Sequence, residues 1–374
     1  MFQRRVAGIV ATAALIFVAC GGGGATTAPS AAPATAAPAS AAATTAAAPC
    51  KVGVSFNNYQ EPRWAKFDEP AIKAAVTAGG GTYDSNDAKS SAATQTTNVE
   101  NLISGGATVL IILAQDGTAI KSSTAAAAAA GIPVIAYDRL IEDPSTLYIT
   151  FDNVEVGRLE AEAVQKAVPS GKYIIIKGNK ADANADFLRD GYVKAGVPPV
   201  GTTGAVNGIT IVGETYTDNW TPSLAQTEVE QFLTANANKV DAVLSENDGM
   251  AGGAIAALTA QGLNGKVAVS GQDGDAANLT LVAKGDQTID VWKDARALGK
   301  AAGEAAIALC KDKDPSKVSG ASPFTTPGKN TVSSILLKPT AITKDILNVV
   351  VDAGWITKET LCQGVPAGSA PVCG

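Results

Sequence analysis

From Cys50 onward the chain alternates short apolar, β-branched runs with longer alanine-rich amphipathic stretches. The runs predict strands at Lys51–Phe56, Thr108–Leu113, Ile132–Tyr137, Leu147–Phe151, Tyr173–Ile176, Ile209–Thr215, Ala242–Ser245, Val267–Ser270 and Thr288–Trp292. The stretches between them predict helices, among them Arg63–Ala78, Gly117–Ala130, Val154–Val168, Pro222–Ala235 and Gly249–Gln261. Strands that are apolar at nearly every position, separated by helices, belong to parallel sheets covered on both faces. The tripeptide Gly131-Ile132-Pro133 is a stop between one such helix and its strand. About ten strand–helix units are more than one open sheet usually carries. The pattern therefore points to an α/β fold of two doubly wound, parallel-sheet lobes.

In sheets of this kind, ligands bind beyond the carboxyl ends of the strands. Two facing lobes would gather both sets of strand ends around one cleft. Polar residues fall where that geometry wants them: Asn57 and Arg63 after the first strand, Asp138 and Arg139 after Ile132–Tyr137. Asn247 and Asp248 follow Ala242–Ser245, and Gln272 and Asp273 follow Val267–Ser270. Any single Asp or Asn after a strand can simply cap the next helix. Four clusters, with arginines that cap nothing, point instead to a binding cleft. Trp64, beside Arg63, and Trp220, within Thr217–Pro222, would add apolar faces, and Lys293 a further donor. Charged groups that satisfy hydroxyls, together with indoles that cover C–H faces, suit a small polyhydroxylated ring. Trp292 and Trp355 read as packing residues.

The amino terminus changes the picture of where the lobes reside. Arg4 and Arg5 precede an apolar run, Val6–Ala19, too short to span a bilayer comfortably. It ends in Phe17-Val18-Ala19-Cys20, so residues 1–20 read as a lipoprotein signal peptide with Cys20 as the lipidated residue. Residues 21–49 are almost entirely Ala, Pro, Thr, Gly and Ser. Without large apolar side chains they cannot offset the entropy of ordering, and they read as a disordered tether. Beyond Cys20 there are four cysteines, Cys50, Cys310, Cys362 and Cys373. In an oxidising compartment they suggest two disulfides, for which three connectivities exist.

Composition mainly excludes. The 374 residues carry a net charge of −6 and no histidine. Histidine-based triads, His-ligated zinc and imidazole proton shuttles are therefore ruled out. The acidic balance, with no basic face, argues against nucleic acid. The sequence Asp182-Ala183-Asn184-Ala185-Asp186 opens like a calcium loop. It has Phe187 where glycine is needed and Val193 where an acid is needed, so no metal is expected there. Ser170-Gly171-Lys172 lacks the upstream glycine of a phosphate loop, and no Gly-x-Ser-x-Gly elbow occurs.

The runs Ala235–Leu258 and Gly265–Asp273 resemble the type I sugar-binding proteins of bacterial ABC importers, and within them the D-xylose-binding group. So do Arg63-Trp64, Ala136–Arg139, Phe151–Asn153 and Asn219-Trp220. The resemblance covers roughly residues 51–360. It implies sugar contacts from Arg63, Asp138, Arg139, Asn184, Trp220, Asn247, Asp273 and Lys293, with Trp64 against the ring. It also implies three crossings between the lobes, near Phe151-Asp152, near Thr288-Ile289 and within 324–332. On that basis residues 50–151 plus 290–325 form the N-terminal lobe, and 152–289 plus 326–374 the C-terminal lobe. The helix Ala295–Cys310 would then end beside the start of the first strand, which implies Cys50–Cys310 and leaves Cys362–Cys373. The implied function is capture of a monosaccharide, D-xylose first, by lobe closure and its delivery to ABC permease subunits. The implied protein is a monomer without cofactor or enzymatic activity, tethered through its lipid outside the cytoplasmic membrane, or periplasmic. The alternatives are a sensing subunit that presents sugar to a chemoreceptor or kinase, or another aldose such as glucose, arabinose or ribose. Three departures from the family pattern bear on which sugar. Tyr59-Gln60-Glu61-Pro62 replaces a more basic run, Asp294 stands where proline is usual, and Glu246 replaces a small residue.

Overall fold

The structure, a computed structural model, describes Gly24 and Pro49–Gly374. The expected signal peptide, Cys20 and nearly all of the tether lie outside the described residues.

Five strands open the first sheet: β1 (Lys51–Phe56), β2 (Thr82–Asp87), β3 (Val109–Ile112), β4 (Val134–Tyr137) and β5 (Thr146–Phe151). Helices α1 (Glu69–Ala78), α2 (Ala92–Ser104) and α3 (Lys121–Ala129) connect them. The chain then builds a second sheet from β6 (Gly171–Lys177), β7 (Ile209–Tyr216), β8 (Ala242–Ser245), β9 (Ala268–Gln272) and β10 (Ile289–Trp292). Its helices are α4 (Asn153–Ala167), α5 (Ala183–Lys194), α6 (Pro222–Ala235), α7 (Asp248–Ala260) and α8 (Ala276–Lys284). After α9 (Ala295–Lys311), strands β11 (Ser322–Thr325) and β12 (Thr331–Leu337) return to the first sheet. Strand β13 (Thr340–Ile342) joins the second, and α10 (Asn348–Asp352) and α11 (Lys358–Leu361) follow. The strand orders are β11-β12-β5-β4-β3-β1-β2 and β13-β10-β9-β8-β6-β7. All pairings are parallel except β11 with β12 and β10 with β13, at the sheet edges. This is the two-lobed type I architecture expected from the sequence, with those two antiparallel edges added.

The lobe limits need correction. β10 pairs with β9, so Ile289–Trp292 belongs to the C-terminal sheet, and the second crossing falls after Trp292. β12 pairs with β5 through Ser333↔Leu147 to Leu337↔Phe151, so the third crossing lies between Leu337 and Thr340 rather than within 324–332. Pairing with β5 covers the edge that β5 would otherwise expose, which keeps the chain in the first sheet through Leu337. The first crossing follows Phe151, where Asp152 N–H donates to the Leu337 carbonyl at 2.9 Å. Two crossings thus run side by side.

Each lobe has its own apolar centre, Val54, Phe56, Ile111, Ile135 and Ile149 in one and Ile174, Ile176, Leu244, Val269 and Leu258 in the other. β2 escapes a pattern search because Thr-Tyr-Asp-Ser-Asn-Asp is an edge strand paired only with β1. α9 returns across the N-terminal lobe against α1. A Cβ on Gly299 would lie 2.7 Å from the Asp68 carbonyl oxygen, and one on Gly303 would lie 2.6 Å from Ala75 Cβ, so two glycines set the close approach of these helices. The last turn of α9 brings Cys310 to Cys50, and a disulfide joins them. A second bridge, Cys362–Cys373, closes the tail. Trp355 stacks on Phe67 at 3.7 Å between ring centroids, meets Trp292 edge-on, and donates from Nε1 to the Gly274 carbonyl at 2.6 Å. Both tryptophans are packing residues.

Candidate functional site

Strand ends from the two sheets face one another across a small, buried pocket. All nine residues that the resemblance marked as sugar contacts line it, Arg63, Trp64, Asp138, Arg139, Asn184, Trp220, Asn247, Asp273 and Lys293, whereas Asn57 and Asp248, also noted after strand ends, do not. Three others join them, Glu61, Asp182 and Gln272. The lobes close tightly around it, leaving a cavity of about 20 Å³. That is far below the roughly 300–1,000 Å³ typical of drug-sized ligand sites. A wider groove on the outside of α1 and α9, floored by Ala71, Ala75 and Gly79, gathers no comparable ring of buried polar groups.

Arg63 is the hub. A five-residue π-helical turn, Trp64–Asp68, folds Asp68 back under it. Arg63 donates to both Asp68 oxygens at 3.0 and 2.9 Å and to Asp273 Oδ1 at 3.1 Å, and it lies 3.3 Å from Asp138 Oδ2. Its guanidinium also covers the Trp64 ring at 4.3 Å. Tyr137 makes a short hydrogen bond to Asp68 from the strand that carries Asp138. Lys293, at the crossing, sits 3.2 Å from Asp273 and 4.0 Å from Asp138. Arg63 belongs to the N-terminal lobe and Asp273 to the C-terminal lobe, so this network spans the cleft. Arg139 spans it as well, 3.0 Å from Asp182 at the start of α5 and 3.7 Å from Glu61.

Backbone conformation aims these groups. Asp138 has φ 60° and Asp273 φ 110°, each turning the chain sharply as its strand ends. Asn247 has an extended backbone at φ −160°, and its side chain caps α7 by accepting from Met250 N–H at 2.9 Å. Its amide NH2 therefore remains for other partners. Asn184 donates to the Asp138 carbonyl at 3.1 Å and accepts from Asn153 and Tyr148 at 3.0 and 3.2 Å. It ties the two lobes together at the pocket wall. Trp220 lies against Gly178, where any Cβ would come within 2.1 Å of the indole. The Gly178 N–H in turn donates to Glu246 Oε2 at 2.7 Å, which is the role of the unusual acid at that position. Trp220 Nε1 and Gln272 Oε1 are buried without a hydrogen-bond partner among the described residues. Buried polar atoms of that kind call for a partner.

The electrostatics divide the carboxyls. Burial works to raise the Asp138 pKa, but Lys293, Arg63 and Arg139 outweigh it and hold this carboxyl below its ordinary range. Burial raises Asp68 to about 6 against the pull of Arg63 and Tyr137. It also raises Glu61 and Asp182, each against Arg139. Behind the pocket, Asp248 and Asp290 hold the Asp273 loop by accepting from Gly274 N–H, each at 3.1 Å. Among the described residues no cation pairs with them, and burial lifts Asp290 to about 8. The pocket thus offers fixed ionic donors and acceptors, indole faces and no base beside a candidate nucleophile. Such a set can hold a neutral, hydroxyl-rich molecule.

Glu61 and Asp182 were not anticipated. Asp182 stood in a segment rejected as a metal loop, of which only Asn184 was assigned to the sugar, whereas Asp182 is the α5 cap, accepting from Asn184 N–H at 3.0 Å. Glu61 lies in a loop that no periodicity marks, and it shows as a site residue only once it accepts from Trp64 Nε1 at 2.7 Å.

Residues 52–314 match the periplasmic binding protein domain family. The D-xylose-binding periplasmic protein of Escherichia coli is 37% identical over 307 residues, covering 82% of this chain and 90% of that protein. A multiple sugar-binding periplasmic receptor of Rhizobium radiobacter is 31% identical over 330 residues, covering 83% and 92%. Among solved structures, a carbohydrate transporter solute-binding protein of Chloroflexus aurantiacus in complex with D-glucose aligns with a TM-score of 0.71 and 29% identity. It covers 83% of this chain and 97% of that one. These proteins are named for binding or transport, and none is an enzyme. Family match, full-length relatives and two lobes around one ionic pocket agree, and this chain belongs to the periplasmic binding protein family.

Proposed function

We propose that the chain is an extracytoplasmic solute-binding protein that captures a monosaccharide, D-xylose before other aldoses, and delivers it to the permease of an ABC importer. The observation that carries the reading is the pocket itself: three cations and their carboxylate partners from both lobes, with Trp64 and Trp220 at its walls. The hydroxyls of a bound pentose would meet Arg63, Asp138, Arg139, Asn184, Asn247, Asp273 and Lys293. Because the ligand touches both lobes, it favours the closed form by its differential affinity for that form. No bond is made or broken. The relatives named for D-xylose favour this sugar. The glucose in the Chloroflexus structure favours testing other aldoses beside it.

The test is a thermal-shift and calorimetry panel with xylose, arabinose, ribose, glucose and galactose. Ligand at a hundredfold excess over Kd adds roughly 2.7 kcal/mol of stability, and xylose should give the largest shift. Arg139→Ala should abolish most of it, because Glu61 and Asp182 lose their paired cation and the sugar hydroxyls a donor. Silence toward every monosaccharide, or a full shift in Arg139→Ala, overturns the assignment.

Residues 1–20 would direct export, and Cys20 would carry diacylglycerol that holds a monomer at the outer face of the cytoplasmic membrane. Cys20→Ala should abolish labelling by radioactive palmitate and release the protein from membranes. The Rhizobium relative is named a receptor, which favours a second reading in which the closed form also docks a chemoreceptor or kinase ectodomain. Co-purification with permease rather than receptor ectodomains separates the two.

A further inference from the structure

The turn that carries Trp220 is strained. Asn219 has φ 53° and Trp220 φ 56°. Asparagine tolerates this region, but for a bulky aromatic residue it is a true outlier. Conformations of this kind persist only when their surroundings over-determine them. Within its own lobe the turn is held by Trp220 N–H donating to the Thr217 carbonyl at 3.1 Å and by the flat seat at Gly178. Thr221 also donates to the Asp218 carbonyl from its N–H and Oγ1, and further grips come from across the cleft. Gln115 Nε2 donates to Asn219 Oδ1 at 2.7 Å. Gln60 Nε2 donates to the carbonyls of Asn219 and Trp220 at 3.2 and 3.4 Å. Gln115 is itself fixed: its N–H donates to Gln95 Oε1 at 2.7 Å, and buried Gln95 donates to the Leu113 carbonyl at 2.8 Å. Gln60 N–H donates to Asn58 Oδ1 at 2.8 Å.

Neither glutamine lines the pocket, nor does Asn219. We infer that Gln115 and Gln60 are positioning residues that fasten the Asn219–Trp220 turn to the opposite lobe, slowing ligand release through contacts the ligand does not make. The inference rests on the reading of the cleft as a monosaccharide site that closes around its ligand. These bonds link the end of β3 and the loop after β1 to a turn of the other lobe, so they exist only in the closed form. They also lock Trp220 in the conformation that completes the pocket wall. Lobe opening breaks them, and they therefore act on release more than on capture.

Stopped-flow tryptophan fluorescence with D-xylose on the full chain tests this. Gln115→Ala should release xylose about fivefold faster, the loss expected for one ordinary hydrogen bond, with association changed by less than about twofold. Gln115→Glu, which keeps the size but cannot donate, should release at least as fast as Gln115→Ala. Asn219→Asp keeps the acceptor and should stay closer to the wild-type rate than Asn219→Ala. The double variant Gln115→Ala/Asn219→Ala should be no faster than the more affected single variant. Wild-type release from Gln115→Ala, or strictly additive effects in the double variant, would overturn the latch. Small-angle scattering without sugar separates this from failure of the sugar reading. Gln115→Ala should be more open than wild type whether or not xylose binds, and identical ligand-free profiles would also overturn the latch.

Discussion

Replacing Arg63 by methionine removes the one cation shared by three buried carboxylates. Asp68 loses both of its charge-assisted bonds, Asp273 keeps only Lys293 at 3.2 Å, and Asp138 keeps Lys293 at 4.0 Å. Arg63 and Asp68 are almost wholly buried, so water does not take over. Breaking a buried pair by removing one partner costs about 3–5 kcal/mol. For a folded body running from Pro49 to Gly374, roughly 2.1 cal/mol/K per residue makes each kcal/mol worth about 1.5 °C. The expected loss is then about 4–7 °C in ligand-free protein at neutral pH. The loss should also depend on pH in a particular direction. Without Arg63 the buried Asp68 carboxyl holds its proton more tightly than in the unfolded chain, so unfolding releases a proton and native stability falls as pH rises. Calorimetric melting at pH 5 and pH 7.5 should show a smaller deficit at the lower pH, where Asp68, already at about 6 in the wild type, is protonated. A Tm within 1–2 °C of wild type (about 1 kcal/mol by the same conversion), or an equal deficit at both pH values, would refute the view that Arg63 acts by neutralising these acids.

Three further expectations follow from the same structure. Asp275 and Asp290 have pKa values raised by burial to about 7 and about 8, so their stabilising contribution is complete below the unfolded value near 4. It is lost as pH rises through those values, and denaturant unfolding from pH 5 to 9 should show falling stability, with a shallower fall in Asp290→Asn. Gly178→Ala places a methyl where the Trp220 indole lies, at 2.1 Å, and should displace the indole. Xylose affinity should fall at least tenfold, about 1.4 kcal/mol, with an altered emission spectrum in the unliganded protein, and calorimetry checks it. Cys310→Ser opens a bridge spanning 260 residues. It should lower stability by roughly 2–5 kcal/mol, read from denaturant midpoints under oxidising conditions, whereas sugar affinity should stay near wild type because the bridge lies at the far end of α9.

The sequence by itself determined the layers and the chemistry of this protein. Apolar runs such as Val109–Ile112 and Ile174–Ile176 have to be buried on both faces, which dictates parallel strands between helices. Ionic and amide residues placed just after such runs have one common destination, the mouth between the sheets, so Arg63, Asp138, Arg139, Asn247, Asp273 and Lys293 were legible as a group from the sequence. Pairing decided the rest. β2 and β12 are edge or near-edge strands whose polar and mixed side chains carry little periodic signal, and only their hydrogen-bond partners reveal that β12 remains in the first sheet through Leu337. Glu61, Asp182, Gln60 and Gln115 sit in loops, where local sequence carries no period to read. Their roles arise from partners across the cleft, as in Gln115 with Asn219, 104 residues away. A side chain's destination on a strand follows from neighbours two residues off, whereas contacts between lobes depend on how two separately folded sheets come to face each other.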